Sequence, residues 1–260
     1  MSTSVGVIGV GLMGRGIAGN LLQKGFSLTL LDHPGNQPTD DLVAGGAQLV
    51  DSPAAVAARA DVILLVVTGA PEVEAVLLDE RGVLAALRPG AIVIDCSTST
   101  PETTARLAPQ VARAGGHMLD APMTGLARQA QEGTLNVLVG GDPAVLAAAT
   151  PVLRAFTRRI SHVGPSGTGH RLKLLHNFVS LGEMALVAEA AAHAARAGVD
   201  PAVFVEVLAT GGGGGAALER LRPAIIDDDP SGVPFVLANA AKDLRYYQAV
   251  AEHTGTPHAI

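Results

Sequence analysis

The sequence predicts an α/β domain with a doubly wound, mostly parallel sheet, followed by an all-α domain. Apolar strand-like runs alternate with helical stretches over about the first 160 residues, a pattern typical of parallel sheets covered on both faces. A glycine-rich turn directly follows the first strand, at residues 9–14. Beyond residue 164 an Ala-rich helical texture replaces the alternation. We therefore predict two domains, residues 1–164 and 165–260.

The predicted elements follow from local patterns of apolar residues and breakers. Short Val/Ile/Leu runs predict strands at 5–8, 28–31, 62–67, 91–95, 117–121 and 135–140. Helical patterns between them include 15–24 and 72–78. The second domain is predicted to hold helices at 170–197, 201–208 and 234–251.

Composition excludes several classes of protein. The 260 residues are 48% hydrophobic and 16% charged, so the chain can bury a large core. The net charge of −6, without a basic cluster, predicts neither nucleic acid nor a membrane as partner. Glycine, proline or charges interrupt every apolar stretch and the first strand lies at the N-terminus, so we expect neither a transmembrane helix nor a signal peptide. The single cysteine, Cys96, fits a reducing cytoplasm and a buried strand end. No metal site is expected.

The turn after the first strand has the chemistry of a phosphate-binding loop. Gly9, Gly11 and Gly14 give the G-x-G-x-x-G spacing of a dinucleotide-binding Rossmann domain. Asp32 ends the second strand, 18 residues after Gly14. A carboxylate there accepts hydrogen bonds from the ribose of NAD and repels the 2′-phosphate of NADP, which predicts NAD as the cofactor. A purely structural glycine turn in another α/β protein is the competing interpretation.

Two further blocks follow predicted strands. Residues 95–101 offer small hydroxyl groups at the carboxyl end of a strand, where open α/β sheets bind ligands. Ser99 or Thr100 could equally cap the next helix. Residues 120–125 offer a hydroxyl and backbone N–H groups that suit a carboxylate, although a bare turn would look the same.

A polar stripe interrupts the long helix after a glycine turn at 167–169. Lys173, His176 and Asn177 have the i, i+3, i+4 spacing that places them on one helix face. A lysine there can act as general acid to a carbonyl oxygen, with Asn177 holding the substrate oxygen. An ordinary surface charge is the competing interpretation. Lys242, in the last predicted helix, is a candidate second cation.

Three features of the second half bear on assembly and pocket shape. The helix at 170–197 is apolar nearly all round, so we expect it to be buried within a helical domain or against a partner, in a homodimer or homotetramer. The run Gly211–Gly215 is a flexible linker or a loop close to a ligand. Residues 255–260 show no clear helical ending, which leaves open whether the natural chain continues.

Together these blocks resemble the β-hydroxyacid dehydrogenase family, whose members include 3-hydroxyisobutyrate dehydrogenase and tartronate semialdehyde reductase. The likeness spans essentially the whole chain and is carried by residues 9–14, 120–125, 132–135 with 140–141, 167–177 and 242–244. It implies hydride transfer between NAD(P) and a short 3-hydroxy acid or its aldehyde, with Lys173 and Asn177 catalytic. It implies contact with an anionic substrate at Thr124, Gly125, Leu126 and His176. It implies cofactor contacts at Gly9, Gly11, Leu12, Met13, Gly14, Asp32, Val67, Thr68, Ser97, Thr98 and Lys242.

The chain departs from that family where the anion pocket is expected. Thr124-Gly125-Leu126 stands where the family usually has Ser-Gly-Gly, and His176 where it has Asn. A related acid such as sulfolactaldehyde is therefore an alternative substrate. Imine reductases share the fold but generally lack the lysine, and 6-phosphogluconate dehydrogenase needs a larger helical domain. A catalytically silent NAD-binding regulator is the alternative from outside the enzymes.

Overall fold

The computed structural model describes residues 3–233 and 236–258. The chain divides into two compact units, residues 1–173 and 174–260. The division falls inside one continuous helix, Thr168–Arg196, so it lies further along the chain than the predicted boundary at 164. That predicted boundary stays a prediction.

The first unit is built on one sheet, which holds nine strands among the described residues. The strands are β1 Ser4–Ile8, β2 Ser27–Leu31, β3 Gln48–Val50, β4 Val62–Leu65, β5 Ile92–Asp95, β6 His117–Asp120, β7 Met123–Thr124, β8 Leu135–Gly140 and β9 Thr157–Gly164. Their order is β3-β2-β1-β4-β5-β6-β8-β7, with β9 beside β8. The first six are mutually parallel, β8 is antiparallel to β6 and β7, and β9 is parallel to β8. The doubly wound, mostly parallel sheet is confirmed.

Helices cover this sheet. They are α1 Leu12–Gln23, α2 Asp40–Ala44, α3 Pro53–Ala57, α4 Ala70–Leu78, α5 Pro101–Arg113, α6 Ala127–Glu132 and α7 Pro143–Leu153. Apolar side chains of the central strands alternate between two cores: Leu64 of β4 packs into one, while Ile63 and Leu65 pack into the other. Because both faces are buried, each central strand is a continuous apolar run rather than an alternating one.

All six predicted strands are present, with ends within two residues of those expected. The three strands that the sequence did not predict are β3, β7 and β9. The first two are only three and two residues long, and β9 exposes two consecutive arginines, Arg158 and Arg159. These strands lie toward the two ends of the sheet order, where one-sided burial weakens the apolar pattern.

The second unit is helical and confirms the predicted all-α domain. Its elements are the greater part of α8 Thr168–Arg196, then α9 Pro201–Thr210, α10 Ala216–Asp227 and α11 Leu237–Thr254. The predicted helix at 234–251 begins at residue 234, which lies outside the described residues, as do the last two residues of the stretch 255–260. Gly211–Gly215 is an exposed connection between α9 and α10. It therefore does not link domains.

Much of the long helix α8 beyond its first turns is exposed within the single chain. Val179 and Leu186 are 56% and 69% exposed, so the expected burial inside the helical domain is wrong for these positions. In the part of the chain that the structure describes, α8 is also the one helix long and apolar enough to span a membrane, with 6% of its most apolar window buried. Core helices of soluble proteins meet the same criterion of length and composition.

Candidate active site

The glycine turn between β1 and α1 fits a pyrophosphate. Gly9 has φ +98°, a conformation that favours glycine, and a Cβ on Gly14 would collide with the carbonyl oxygen of Gly9. A Cβ on Gly11 would meet nothing within 4 Å. Gly11 is also the N-cap of α1, and it brings no side chain to the first turn. The open side of the turn thus presents a helix N-terminus to which an anion can come close.

The predicted ribose contact lies next to this turn. Asp32 directly follows β2 and is exposed. Asn36 joins the two loops, since its Oδ1 accepts from the Val10 N–H at 3.3 Å and its Nδ2 donates to the Leu31 carbonyl at 2.8 Å. Sequence reasoning missed Asn36, because a lone polar residue in a loop carries no pattern.

The residues expected near the nicotinamide follow β4 and β5. Ser97 is 3% exposed. Its hydroxyl accepts from the Val67 N–H at 3.1 Å and lies 3.4 Å from the Leu65 carbonyl oxygen. This side chain therefore ties two strand ends together. Of the neighbouring hydroxyl residues, Thr68 is exposed and Thr98 is half-buried.

The helix-capping interpretation of the block at 95–101 is confirmed for one residue. The Thr100 hydroxyl accepts from the Thr103 N–H at 3.1 Å at the start of α5. Ser99 is fully buried.

The predicted anion pocket at 124–126 is partly used by the fold itself. Thr124 ends β7, and its hydroxyl accepts from the Asn136 amide at 3.4 Å. Gly125 has φ +122°. The Leu126 N–H donates to Gln129 Oε1 at 2.9 Å. The Leu126 N–H is therefore already used within the turn. Of residues 124–126, Thr124 is the one with a polar side chain.

Asp120 anchors the start of α8, a role that the sequence did not reveal. This buried carboxylate accepts from the Gly167 N–H at 2.7 Å and from the His170 N–H at 3.0 Å. A carboxylate on the free N–H groups of a helix start is favourable both as hydrogen-bond acceptor and as a charge. The end of β6 thus fixes the backbone that carries Lys173 one turn further on, a half-buried residue of the same compact unit.

The second unit holds a chain of polar contacts around the buried Asn177 and Asp243. The Asn177 Nδ2 donates to Asp243 Oδ2 at 2.7 Å, and the Lys242 ammonium lies 2.8 Å from the other oxygen of that carboxylate. His176 Nδ1 lies 3.0 Å from Asn177 Oδ1. Because a carboxylate only accepts hydrogen bonds, Asp243 fixes which end of the Asn177 amide faces it. The sequence predicted Asn177 and Lys242 but not the carboxylate between them.

The structure places the predicted residues in two groups. The cofactor residues of the first unit follow the carboxyl ends of β1, β2, β4 and β5, which are neighbours in one parallel sheet and therefore open on one edge. Asn177, His176 and Lys242 belong to the second unit. Lys173 and Asn177 share one face of α8, one turn apart.

Comparison with known proteins identifies the class. Residues 4–164 match the family model of the NAD binding domain of 6-phosphogluconate dehydrogenase, and residues 167–260 match that of the NAD-binding region of NADP-dependent 3-hydroxyisobutyrate dehydrogenase. The chain belongs to the β-hydroxyacid dehydrogenase family, whose members are NAD(P)-dependent oxidoreductases of hydroxy acids.

Individual relatives agree with that assignment. The chain is 34% identical over 254 residues to NAD-dependent L-serine dehydrogenase of Pseudomonas aeruginosa, covering 95% of this chain and 85% of the relative. It is 37% identical over 223 residues to 3-hydroxyisobutyrate dehydrogenase of the same organism, covering 85% and 74%. Among solved structures, Mycobacterium tuberculosis 3-hydroxyisobutyrate dehydrogenase with L-serine superposes with a TM-score of 0.88 at 28% identity, covering 100% and 90%.

Proposed function

We propose that this protein transfers hydride between NAD and a small 3-hydroxy acid or its semialdehyde, with Lys173 as the general acid and base. The observation that carries the proposal is the pairing of Lys173 with Asn177 on one face of α8, directly beyond a helix start anchored to the sheet by Asp120. A regulator that only binds NAD has no need of this lysine and amide.

Each residue has a distinct task in the proposed reaction. Bound NADH supplies a hydride to the carbonyl carbon. The Lys173 ammonium gives a proton to the carbonyl oxygen as charge develops there, and the neutral amine takes that proton back in the oxidation direction. One hydrogen of the Asn177 amide nitrogen is held by Asp243, so the other is the one we assign to the substrate oxygen.

The acid group of the substrate is assigned to Thr124, Gly125, Leu126 and His176. Thr124 supplies a hydroxyl where the family usually has serine, and Leu126 brings a bulky apolar group where it has glycine. We therefore expect a pocket whose substrate range differs from that of typical members. L-Serine and 3-hydroxyisobutyrate, named for the relatives above, are the first compounds to try, with 3-sulfolactaldehyde as the alternative head group.

The cofactor assignment rests on Gly9, Gly11, Leu12, Met13, Gly14, Asp32, Val67, Thr68, Ser97, Thr98 and Lys242. For Ser97 we assign the cofactor contact to the backbone, because the hydroxyl already ties the end of β4 to that of β5. We assign Lys242 to cofactor binding, in addition to its ion pair with Asp243. The same proposal includes a domain boundary near residue 164, a cytoplasmic location, and a homodimer or homotetramer.

A steady-state assay tests the proposed function. The purified chain is given NAD with C3–C5 3-hydroxy acids, including L-serine and sulfonated analogues, and NADH with the corresponding aldehydes and with cyclic imines. Turnover of at least one of these that is lost in the Lys173→Ala variant supports the proposal. Binding of NADH without turnover of any compound would favour the regulator, and turnover of cyclic imines alone would favour an imine reductase.

A further inference from the structure

His170 is a buried ionisable residue that the reaction described above does not use. It lies in the first turn of α8, three residues before Lys173, and is 0% exposed. Its Nδ1 is 2.8 Å from the hydroxyl of Thr104 on α5, and its Nε2 is 3.6 Å from Oδ2 of Asp95 at the end of β5. The imidazole therefore spans from a helix to a strand end with one ring nitrogen toward each.

The surroundings of this ring are strongly acidic. Asp95 and Asp120 are 1% and 0% exposed. Asp120 is satisfied by two backbone N–H groups. Asp95 has one oxygen on the Ser97 N–H, while its Oδ2, like His170 Nε2, makes no hydrogen bond to any described residue. Burial raises the pKa of the Asp95 carboxyl, the charge of His170 opposes that rise, and Asp120 adds to it.

The two unsatisfied atoms face each other across 3.6 Å, and their contact is favourable only if one of them carries a proton. If neither atom carried one, two acceptors would be opposed in a dry site, which is costly. A proton on Nε2 makes the contact favourable, and a neutral imidazole supplies it while its Nδ1 accepts from the Thr104 hydroxyl. The cationic and titratable groups nearest on the same helix are Arg171 and Lys173, both half-buried.

We infer that His170 is a positioning residue: by holding the Thr104 hydroxyl at Nδ1 and facing Asp95 with Nε2, it fixes the orientation of the first turn of α8 and so the place of Lys173. The inference rests on the proposed function for the role of Lys173. Its contacts all lie within the first compact unit.

The sequence offers a direct way to observe Lys173. The chain contains only three lysines, Lys24, Lys173 and Lys242. Reductive ¹³C-dimethylation keeps their charge and gives one NMR signal for each lysine, and the Lys173 signal is assigned from its loss in Lys173→Arg. Titration of this signal in the full chain reports the lysine without requiring turnover.

Four proteins are compared: the unchanged chain, His170→Gln, Thr104→Val and, as a matched control, His117→Gln at an exposed strand start. We expect His170→Gln to move the Lys173 titration by about 0.5 pH unit or more while Lys24 stays in place. The same variant should lower kcat by about tenfold or more, alter its pH profile, and leave the Kd for NADH within about twofold. Thr104→Val, which removes the Nδ1 partner together with a 3.4 Å hydrogen bond to the Thr100 carbonyl, should act in the same direction and less strongly.

The outcomes separate the two hypotheses. An unchanged Lys173 titration in both folded variants, with kcat as in His117→Gln, would overturn the positioning role. If His170→Gln fails to fold, Thr104→Val decides by the same signals. Full activity in Lys173→Ala would refute the proposed catalytic role, while the NMR comparison would still report whether His170 positions that lysine.

Discussion

At the scale of single residues, the proposed chemistry depends most on Lys173. Replacing it with alanine removes the proton donor for the carbonyl oxygen but leaves the glycine turn intact. We expect Lys173→Ala to lower kcat by about 100-fold or more, a usual effect of removing an acid–base group, with little change in the Kd for NADH. Steady-state kinetics and fluorescence titration of NADH measure the two quantities. Lys24→Ala, at an exposed position after α1, is the control, and a Lys173→Ala variant that keeps most of its activity contradicts the mechanism.

Asp243 supports a second prediction, because it orients the Asn177 amide. Asparagine in place of Asp243 can donate as well as accept, so the Asn177 amide would no longer be held in one orientation. We expect Asp243→Asn to raise KM and lower kcat together by about tenfold, approaching the effect of Asn177→Ala. His176→Asn, which alters only the neighbour of the amide oxygen, should be far milder. Wild-type kinetics in Asp243→Asn would show that the carboxylate does not orient the amide.

Asp32 determines the prediction for cofactor choice. A carboxylate beside the ribose favours free hydroxyls and repels a 2′-phosphate, so NADH should have at least about tenfold higher kcat/KM than NADPH, or roughly 1.4 kcal/mol. Asp32→Ser should reduce the difference in kcat/KM between NADH and NADPH. The test measures kcat/KM for NADH and for NADPH with the same series of substrate concentrations. Equal use of NADPH by the unchanged chain would contradict the assignment.

The sequence revealed the residues whose chemistry repeats a local pattern, and it missed those whose partners are distant. Gly9, Gly11 and Gly14 were identified by spacing alone. Asp120 and Asn36, by contrast, act through contacts with residues up to 50 positions away. Nothing near them in the sequence marks such contacts, because only the fold brings the partners together.

At the scale of elements, burial decides which strands the sequence predicts. The central strands β1, β4 and β5 are apolar at consecutive positions because helices cover both faces, and all three were predicted. The short strand β7 was not predicted, since two residues cannot show a period. The antiparallel pairing of β8 with β6 likewise follows from the chain path between them rather than from the composition of β8.

The turn between β1 and α1 gives a prediction that separates folding from binding. A Cβ on Gly14 would collide with the Gly9 carbonyl, whereas a Cβ on Gly11 would meet no protein atom within 4 Å. We therefore expect Gly14→Ala to lower the Tm by several degrees, about 1–3 kcal/mol of strain. Gly11→Ala should keep the Tm of the unliganded protein and weaken NADH binding by about tenfold or more, because its methyl group would occupy the space of the pyrophosphate. If both variants kept the Tm and the NADH affinity of the unchanged chain, this turn would not be the cofactor-binding turn.

At the scale of the whole molecule, the helical unit leaves much apolar surface uncovered. Leu186 is 69% exposed, Val203 51% and Val207 61%. Scattered single apolar residues are ordinary on a protein surface, but several on neighbouring turns of long helices are typical of an interface. Burial against another subunit would cover these side chains, and this association stays a prediction.

The predicted association with another subunit can be measured directly. We expect a homodimer, or a dimer of dimers, joined through the helical unit, because burial of the apolar side chains of α8 and α9 would be the main gain on assembly. Light scattering coupled to size-exclusion chromatography should give at least twice the chain mass of 26.3 kDa at micromolar concentration. Leu186→Glu should shift the population toward monomer, since a carboxylate cannot be buried there without a partner. Leu78→Glu, which changes a leucine 43% exposed in the first unit, should leave the assembly unchanged. A stable monomer of the unchanged chain would contradict the prediction and leave the exposed face of α8 to another partner.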